Sequence, residues 1–76
     1  MSQIFYKGYE INPCPMQLLD GTGWTTDVEI TPEAGNLISQ LYTSAVTWPT
    51  AEEAVRGCID FAQRIIDGNE AGSLPP

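Results

Sequence analysis

The sequence predicts an α+β fold in which a three-stranded antiparallel sheet is covered on one face by a single C-terminal helix, in the order β-β-β-α and in two layers. The chain up to Trp48 is rich in aromatic and β-branched residues, and one stretch alternates strictly between apolar and polar residues. After Pro49 the apolar spacing becomes helical. The 76 residues suffice for one domain, which we place at residues 1–68, with a flexible tail at 69–76.

The first predicted strand covers residues 4–11, which are mostly aromatic and β-branched. Counting with a period of two along one unbroken strand places Ile4 and Tyr6 on the side opposite to the other apolar residues, Phe5, Tyr9 and Ile11. Gly8 in the middle of the strand predicts a bulge or a close neighbour. Residues 12–17 contain two prolines and are expected to form an edge or a loop.

The second predicted strand, residues 24–31, follows a glycine-rich turn at residues 20–23 and shows the cleanest alternation in the chain. One face should lie in the core and carries Trp24, Thr26, Val28 and Ile30. The opposite face carries Thr25, Asp27, Glu29 and Thr31. The composition of residues 37–48 favours a third strand, and a helical turn at 37–42 is the alternative.

The helix predicted over residues 51–67 has clear start and stop signals. Thr50 and Glu53 have the spacing of a capping box, and Gly68 supplies the C-terminal stop. Its apolar stripe, at i, i+3 and i+4 spacing, consists of Ala54, Val55, Cys58, Ile59, Ala62, Ile65 and Ile66. Two i, i+4 ion pairs are expected on the exposed side, Glu52–Arg56 and Asp60–Arg64.

The charge balance restricts the classes of partner. Ten acidic residues, three basic residues and no histidine give a formal charge of −7. Such a charge opposes nucleic-acid binding and association with anionic membranes, because both require a basic surface. A basic protein partner is compatible with it, and solubility is the alternative explanation for the acidity.

The sequence offers little catalytic or metal-binding chemistry. Without histidine, the usual general base near neutral pH is missing. Cys14 lies in a predicted loop and Cys58 on the predicted apolar helix face, so both are expected as free thiols, with a disulfide between them as the alternative. We therefore predict a non-enzymatic protein with no metal and no cofactor. Because no signal peptide and no membrane-spanning stretch is visible, the expected location is the cytoplasm.

These features together resemble a group of small uncharacterised bacterial proteins with a β-β-β-α layout. The matching pieces are Tyr6, Gly8 and Ile11, Gly23-Trp24, Trp48-x-Thr50-x-Glu52-Glu53-Ala54, and Ile66-Asp67-Gly68. The Gly-Trp strand and the Thr-x-Glu-Glu-Ala helix start are also similar to those of HicB-type antitoxins, which have a fold like that of double-stranded-RNA-binding domains. The resemblance implies a three-stranded sheet with one helix. This sequence differs from those antitoxins in that no appended DNA-binding segment is expected in it.

One helix can cover only one face of a sheet, so the other face is the candidate site. The expected partner surface on that face consists of Ile4, Tyr6, Thr25, Asp27 and Glu29. The favoured function is a non-catalytic protein-interaction or regulatory module that binds a second copy of itself or a basic protein. The alternatives are an antitoxin-like inhibitor that masks a basic partner and a nucleic-acid-binding domain, which the charge opposes. Trp24 and Trp48 are expected as core or edge anchors, with ligand binding as the alternative.

Overall fold

The computed structural model describes residues 4–33 and 39–68. In this part of the chain it is an α+β structure with one antiparallel sheet in the order β1-β2-β3-β4 and one C-terminal helix, α1. The elements are β1 (Ile4–Tyr6), β2 (Tyr9–Pro13), β3 (Trp24–Pro32), β4 (Gln40–Trp48) and α1 (Ala51–Ile66). The predicted fold class and helix are confirmed, but the described part of the sheet has four strands and not three. The predicted tail at 69–76 lies outside the described residues.

The prediction of one unbroken strand over residues 4–11 is wrong, because the chain reverses direction at Lys7-Gly8. Both turn residues have positive φ, 49° at Lys7 and 85° at Gly8, as in the two-residue turns that match the twist of a hairpin. Ile4 therefore pairs with Ile11, and both side chains share the core face. The Gly8 position is a turn rather than the expected bulge.

The predictions for the strands over residues 24–31 and 40–48 are largely confirmed. On the face of β3 predicted to enter the core, Thr26, Val28 and Ile30 are buried, whereas Trp24 is only partly buried. The turn before β3 is closed by the Asp20 carboxylate, which accepts from the backbone N–H of Thr22 at 3.0 Å, while Gly21 has a φ of 74°. Residues 40–48 form a strand, as favoured, and the preceding residues 37 and 38 lie outside the described part.

Helix α1 begins and ends where the sequence signals predict. The Thr50 hydroxyl accepts from the Glu53 backbone N–H at 3.1 Å, and Gly68 follows the C-cap residue Asp67 with a φ of 82°. The Glu53 carboxylate accepts from the Thr50 hydroxyl, also at 3.1 Å. Both expected i, i+4 ion pairs form.

The core lies between α1 and the central strands, and small residues bring the helix close to the sheet. The buried helix residues are Ala54, Gly57, Cys58, Ala62 and Ile65. Three of them, Cys58, Ala62 and Ile65, form one buried cluster with the strand residues Ile11, Val28 and Ile30. Because α1 packs on β2, β3 and β4 from one side only, the opposite side of the sheet is left without a covering layer in the described structure.

Candidate interaction surfaces

The strand register defines the face of the sheet that points away from α1, which we call the outer face. Its rows run across the strands as Phe5–Glu10–Thr31, Asn12–Glu29–Leu41 and Asp27–Thr43. Thr25 belongs to the same face, because its hydroxyl donates to the Asp27 carboxylate two residues further along β3. The outer face thus combines carboxylates with threonine and asparagine, and it has a large apolar side chain near each edge.

Three of the five predicted surface residues lie on the outer face: Thr25, Asp27 and Glu29. The prediction that Ile4 and Tyr6 also face away from the helix is wrong, because both pack against the core. The Tyr6 hydroxyl donates to the Asp67 carboxylate at 3.0 Å, which ties β1 to the end of α1. The hairpin at Lys7-Gly8 is the cause, since it reverses the strand on which the period-two count was based.

The large apolar side chains on the outer face are those of Phe5 and Leu41, whereas the sequence analysis predicted Ile4 and Tyr6 there. Phe5 is 65% exposed and Leu41 is 68% exposed. Neither was predicted, because the orientation of Phe5 depends on the hairpin and that of Leu41 on the register between β3 and β4. The Lys-Gly dipeptide was the available signal for the hairpin, although it is weaker than Asn-Gly or Asp-Gly.

All three basic residues are paired with carboxylates at the helix. Lys7 Nζ lies 2.8 Å from Asp67 Oδ1. The guanidinium groups of Arg56 and Arg64 pair with helix carboxylates one turn earlier, at 3.5 Å and 2.6 Å. No strand contains lysine or arginine, whereas β2 and β3 contribute three carboxylates to the outer face, those of Glu10, Asp27 and Glu29. The positive charges therefore offset acidity at the helix and leave the outer face negative.

The two carboxylates at the centre of the outer face are held by polar neighbours. Asp27 accepts from the Thr25 hydroxyl, and Glu29 accepts from the Asn12 amide at 3.4 Å. These bonds are made to neutral donors, so each carboxylate keeps its negative charge available to a partner. The pair forms the most acidic part of the sheet.

Both cysteines are free thiols, and both residues donate a hydrogen bond to the same backbone oxygen of β3. The Asp27 carbonyl oxygen accepts from the Cys14 backbone N–H at 2.8 Å and from the Cys58 thiol at 3.1 Å. Burial raises the pKa of both thiols, and the nearby charges of Glu29 and Asp27 raise the pKa of Cys14 further. Both sulfurs are therefore protonated at neutral pH, which is opposite to what a nucleophilic cysteine requires.

An open groove lies between α1 and β4, on the side of the sheet opposite to the outer face. A cavity of about 310 Å³ is lined by Trp48, Glu53, Arg56, Gly57 and Asp60. A second cavity of about 140 Å³ shares three of these residues, Trp48, Gly57 and Asp60, and extends along Ser44, Val46, Phe61 and Arg64. We call the two together the Trp48 groove. The sequence did not predict it, because it depends on a contact between distant elements.

The indole of Trp48 forms the floor of this groove and is fixed in place from two sides. Its Nε1 donates to the Thr26 hydroxyl at 2.7 Å, and that buried hydroxyl donates in turn to the Val46 carbonyl oxygen at 2.6 Å. On the other side the ring lies against Gly57, where there is no room for a Cβ atom. Trp48 is therefore an anchor, as expected, and also presents a rigid aromatic surface to the groove.

Within residues 4–33 and 39–68, no three acidic, cysteine or histidine side chains come together in a way that would hold a metal ion. The same residues include no helix with the length and apolar character needed to cross a membrane. No protein-family model, curated protein or solved structure matches this chain. The resemblance to HicB-type antitoxins stays a prediction.

Proposed function

We propose that this chain is a non-catalytic protein-interaction module whose outer face binds a basic protein. The observation that supports this most is the distribution of charge over the fold. The three cations are engaged at the helix, while the uncovered side of the sheet presents the carboxylates of Glu10, Asp27 and Glu29. A basic partner that docks there gains electrostatic complementarity without competing with an internal ion pair.

The apolar residues of the outer face fit a protein partner better than a small cation. Phe5 and Leu41 are both about two-thirds exposed and flank the acidic centre from opposite strands. Large apolar side chains next to polar ones are typical of protein interfaces, in which aromatic residues contribute much of the binding energy. The outer face therefore has both an element for affinity and an element for charge selection.

An antitoxin-like inhibitor is the more specific form of the same proposal. An acidic surface that covers a basic active site or a basic nucleic-acid-binding surface would block it by occupying the place of phosphate groups. The charge distribution and the resemblance of the helix start favour this form over a nucleic-acid-binding role, because the strands provide no basic residue to contact phosphate.

Neutralisation of the outer face tests the proposal. The probe is a fluorescently labelled peptide of about eight residues in which arginine and valine alternate, long enough to follow one strand. We expect the double variant Asp27→Asn/Glu29→Gln to bind this peptide about 2- to 30-fold more weakly than the wild type, since two surface ion pairs contribute about 0.4–2 kcal/mol. Binding is measured by fluorescence anisotropy at several salt concentrations.

A matched control separates the outer face from the general acidity of the chain. Asp20→Asn/Glu52→Gln removes the same amount of charge from a turn and from the helix start, at two residues that do not line the cavities beside Trp48. An asparagine at position 20 can still accept from the Thr22 backbone N–H, and the Thr50 cap on the Glu53 backbone N–H is unchanged. This control should bind the peptide within about 2-fold of the wild type, because surface charges outside the contact are largely screened. Equal losses in the two double variants would show that only net charge matters and would refute the proposal.

A further inference from the structure

Within residues 4–33 and 39–68, strand β4 is an edge of the sheet that lacks the usual protection. It spans nine residues, Gln40–Trp48, and contains no charged residue and no proline. Natural edge strands are commonly short, charged, interrupted by proline or covered, because their free N–H and C=O groups can pair with another chain. The opposite edge, β1, follows that rule, since its described part has three residues, Ile4–Tyr6.

Among the residues that the structure describes, the one protective feature of β4 is confined to its C-terminal half. Trp24 pairs with Trp48 and Thr26 with Ser44, so one residue of β3 lies opposite three residues of β4 and the ladder is irregular there. The three β4 residues in this irregularity, Ala45, Val46 and Thr47, are exposed. Regular pairing therefore runs over residues 40–44, and this segment presents a free edge of five residues in the described structure.

The Trp48 groove opens beside this free edge. Ser44 and Val46 of β4 line one wall of its smaller cavity, and Phe61 of α1 lines the other. A segment that pairs with the edge would thus pass the entrance of a cavity whose floor is an immobilised indole ring. An edge strand next to a groove along a helix provides main-chain pairing and a side-chain pocket at the same place, which is the combination used for extended peptides.

We propose that an extended segment of the basic partner adds to the sheet along residues 40–44 as a further strand and inserts an apolar side chain into the Trp48 groove. This inference rests on the proposed function, because it specifies how the same basic partner is held. The partner segment is one in which basic and apolar residues alternate, since successive side chains of a strand point to opposite faces.

Charge complementarity supports a basic segment as the occupant. On the outer face, an added strand lies next to Leu41 and Thr43, and one strand further in are their cross-strand partners Glu29 and Asp27. Adjacent strands are about 4.8 Å apart, so long arginine or lysine side chains can cross Leu41 and Thr43 to these carboxylates. On the helix side, the side chains of alternate residues meet Trp48 and Phe61.

A second copy of the chain fits the same edge less well. It carries a formal charge of −7, and its own β4 offers no basic residue to Asp27 or Glu29. Strand pairing between two copies would bring together surfaces of like charge, which opposes association. We therefore do not propose a second copy as the occupant of this edge, and the test below includes a dimer as one of its outcomes.

Two N-methylated forms of the arginine–valine peptide test the proposal. Alternate amides of a strand point to opposite edges, so methylation of one set blocks pairing with β4 while methylation of the other set leaves it intact. We expect one methylated peptide to bind more than about 10-fold more weakly than the parent and the other to bind within about 2-fold of it, because the loss of two or three hydrogen bonds has an effect of that size. Charge and composition are identical in both.

The outcomes separate this proposal from the proposed function. If both methylated peptides bind alike but Asp27→Asn/Glu29→Gln still weakens binding, the outer face binds basic peptides and the addition of a strand is refuted. If neither Asp27→Asn/Glu29→Gln nor methylation changes binding, both proposals are refuted. If light scattering shows that the chain alone is a dimer and the peptide leaves the β4 amide signals unchanged in NMR spectra, the edge is occupied by a second copy and the proposal is likewise refuted.

Discussion

Replacement of Gly57 by alanine should destabilise the protein, although Gly57 lies in the middle of a helix and alanine has the higher helix propensity. Intrinsic helix propensity alone predicts that Gly57→Ala stabilises the protein by about 1 kcal/mol. The structure predicts the opposite sign. A Cβ at this position would overlap two carbon atoms of the Trp48 ring and lie 2.7 Å from Nε1, which cannot occur without movement of the indole.

The size of the effect follows from the packing and the hydrogen bond that the Trp48 indole loses when it moves. Overpacking of a fixed neighbour costs about 1–3 kcal/mol. Loss of the Trp48 Nε1 to Thr26 hydrogen bond adds about 0.5–1.5 kcal/mol, since the Thr26 hydroxyl is buried. After the gain in helix propensity of about 1 kcal/mol is subtracted, Gly57→Ala should lower the free energy of unfolding by about 0.5–3.5 kcal/mol.

The assay is guanidinium unfolding followed by far-UV circular dichroism, in the wild-type background and in a Trp48→Ala background. With the ring removed, the clash is absent and Gly57→Ala should stabilise the protein by about 1 kcal/mol. A reversal of sign between the two backgrounds is the expected result. If Gly57→Ala stabilises the protein that retains Trp48, the indole does not pack against α1 at Gly57 as described.

Three further predictions concern the contacts that hold the fold. Asp67→Asn should destabilise the protein at neutral pH, because the hydrogen bond and charge of Lys7 lower the pKa of Asp67 in the folded state. The stability that the Asp67 carboxylate contributes should disappear as the pH falls through that lowered pKa. Urea unfolding of the wild type and of Asp67→Asn across the acid range would show whether the difference between them disappears. Thr50→Ala should cost about 1 kcal/mol through loss of the helix cap, with Thr50→Ser as the control that retains it. Thr26→Val should lower the free energy of unfolding by about 1–3 kcal/mol, as measured by urea unfolding, because the Trp48 indole N–H and the Val46 carbonyl oxygen lose the hydroxyl that bridges them. Thr26→Ser retains a hydroxyl and should keep most of the wild-type stability.

Helix α1 was predictable because its signals are local. The cap at Thr50, the stop at Gly68 and the apolar stripe between them all lie within one stretch of sequence. The alternation of β3 is equally local, so the position of Asp27 and Glu29 on the outer face could be predicted without knowledge of the sheet.

The hairpin at Lys7-Gly8 has no comparably strong local signal in the sequence. Its first turn residue is a lysine with positive φ, a conformation that only a few per cent of non-glycine residues adopt. Period-two counting assumes an unbroken strand, and a two-residue turn reverses the chain without disturbing the composition. The predicted orientations of Ile4, Phe5 and Tyr6 were therefore inverted.

The Trp48 groove was missed for a different physical reason. It exists because Gly57 lets the indole of a residue nine positions earlier lie against the helix backbone, and no local pattern encodes such a contact. A glycine inside an otherwise strong amphipathic helix was the one available hint, since such a glycine usually has a packing reason.

The most direct test of the outer face as a binding site is an amide NMR titration of the protein with the alternating arginine–valine peptide. The largest shift changes should fall on β3 and β4, at residues 25–31 and 40–44, with the amides around Asp20 little affected. That pattern would place the basic ligand on the acidic sheet and along its free edge. Shift changes that are largest around Asp20, or spread evenly over all acidic residues, would contradict it.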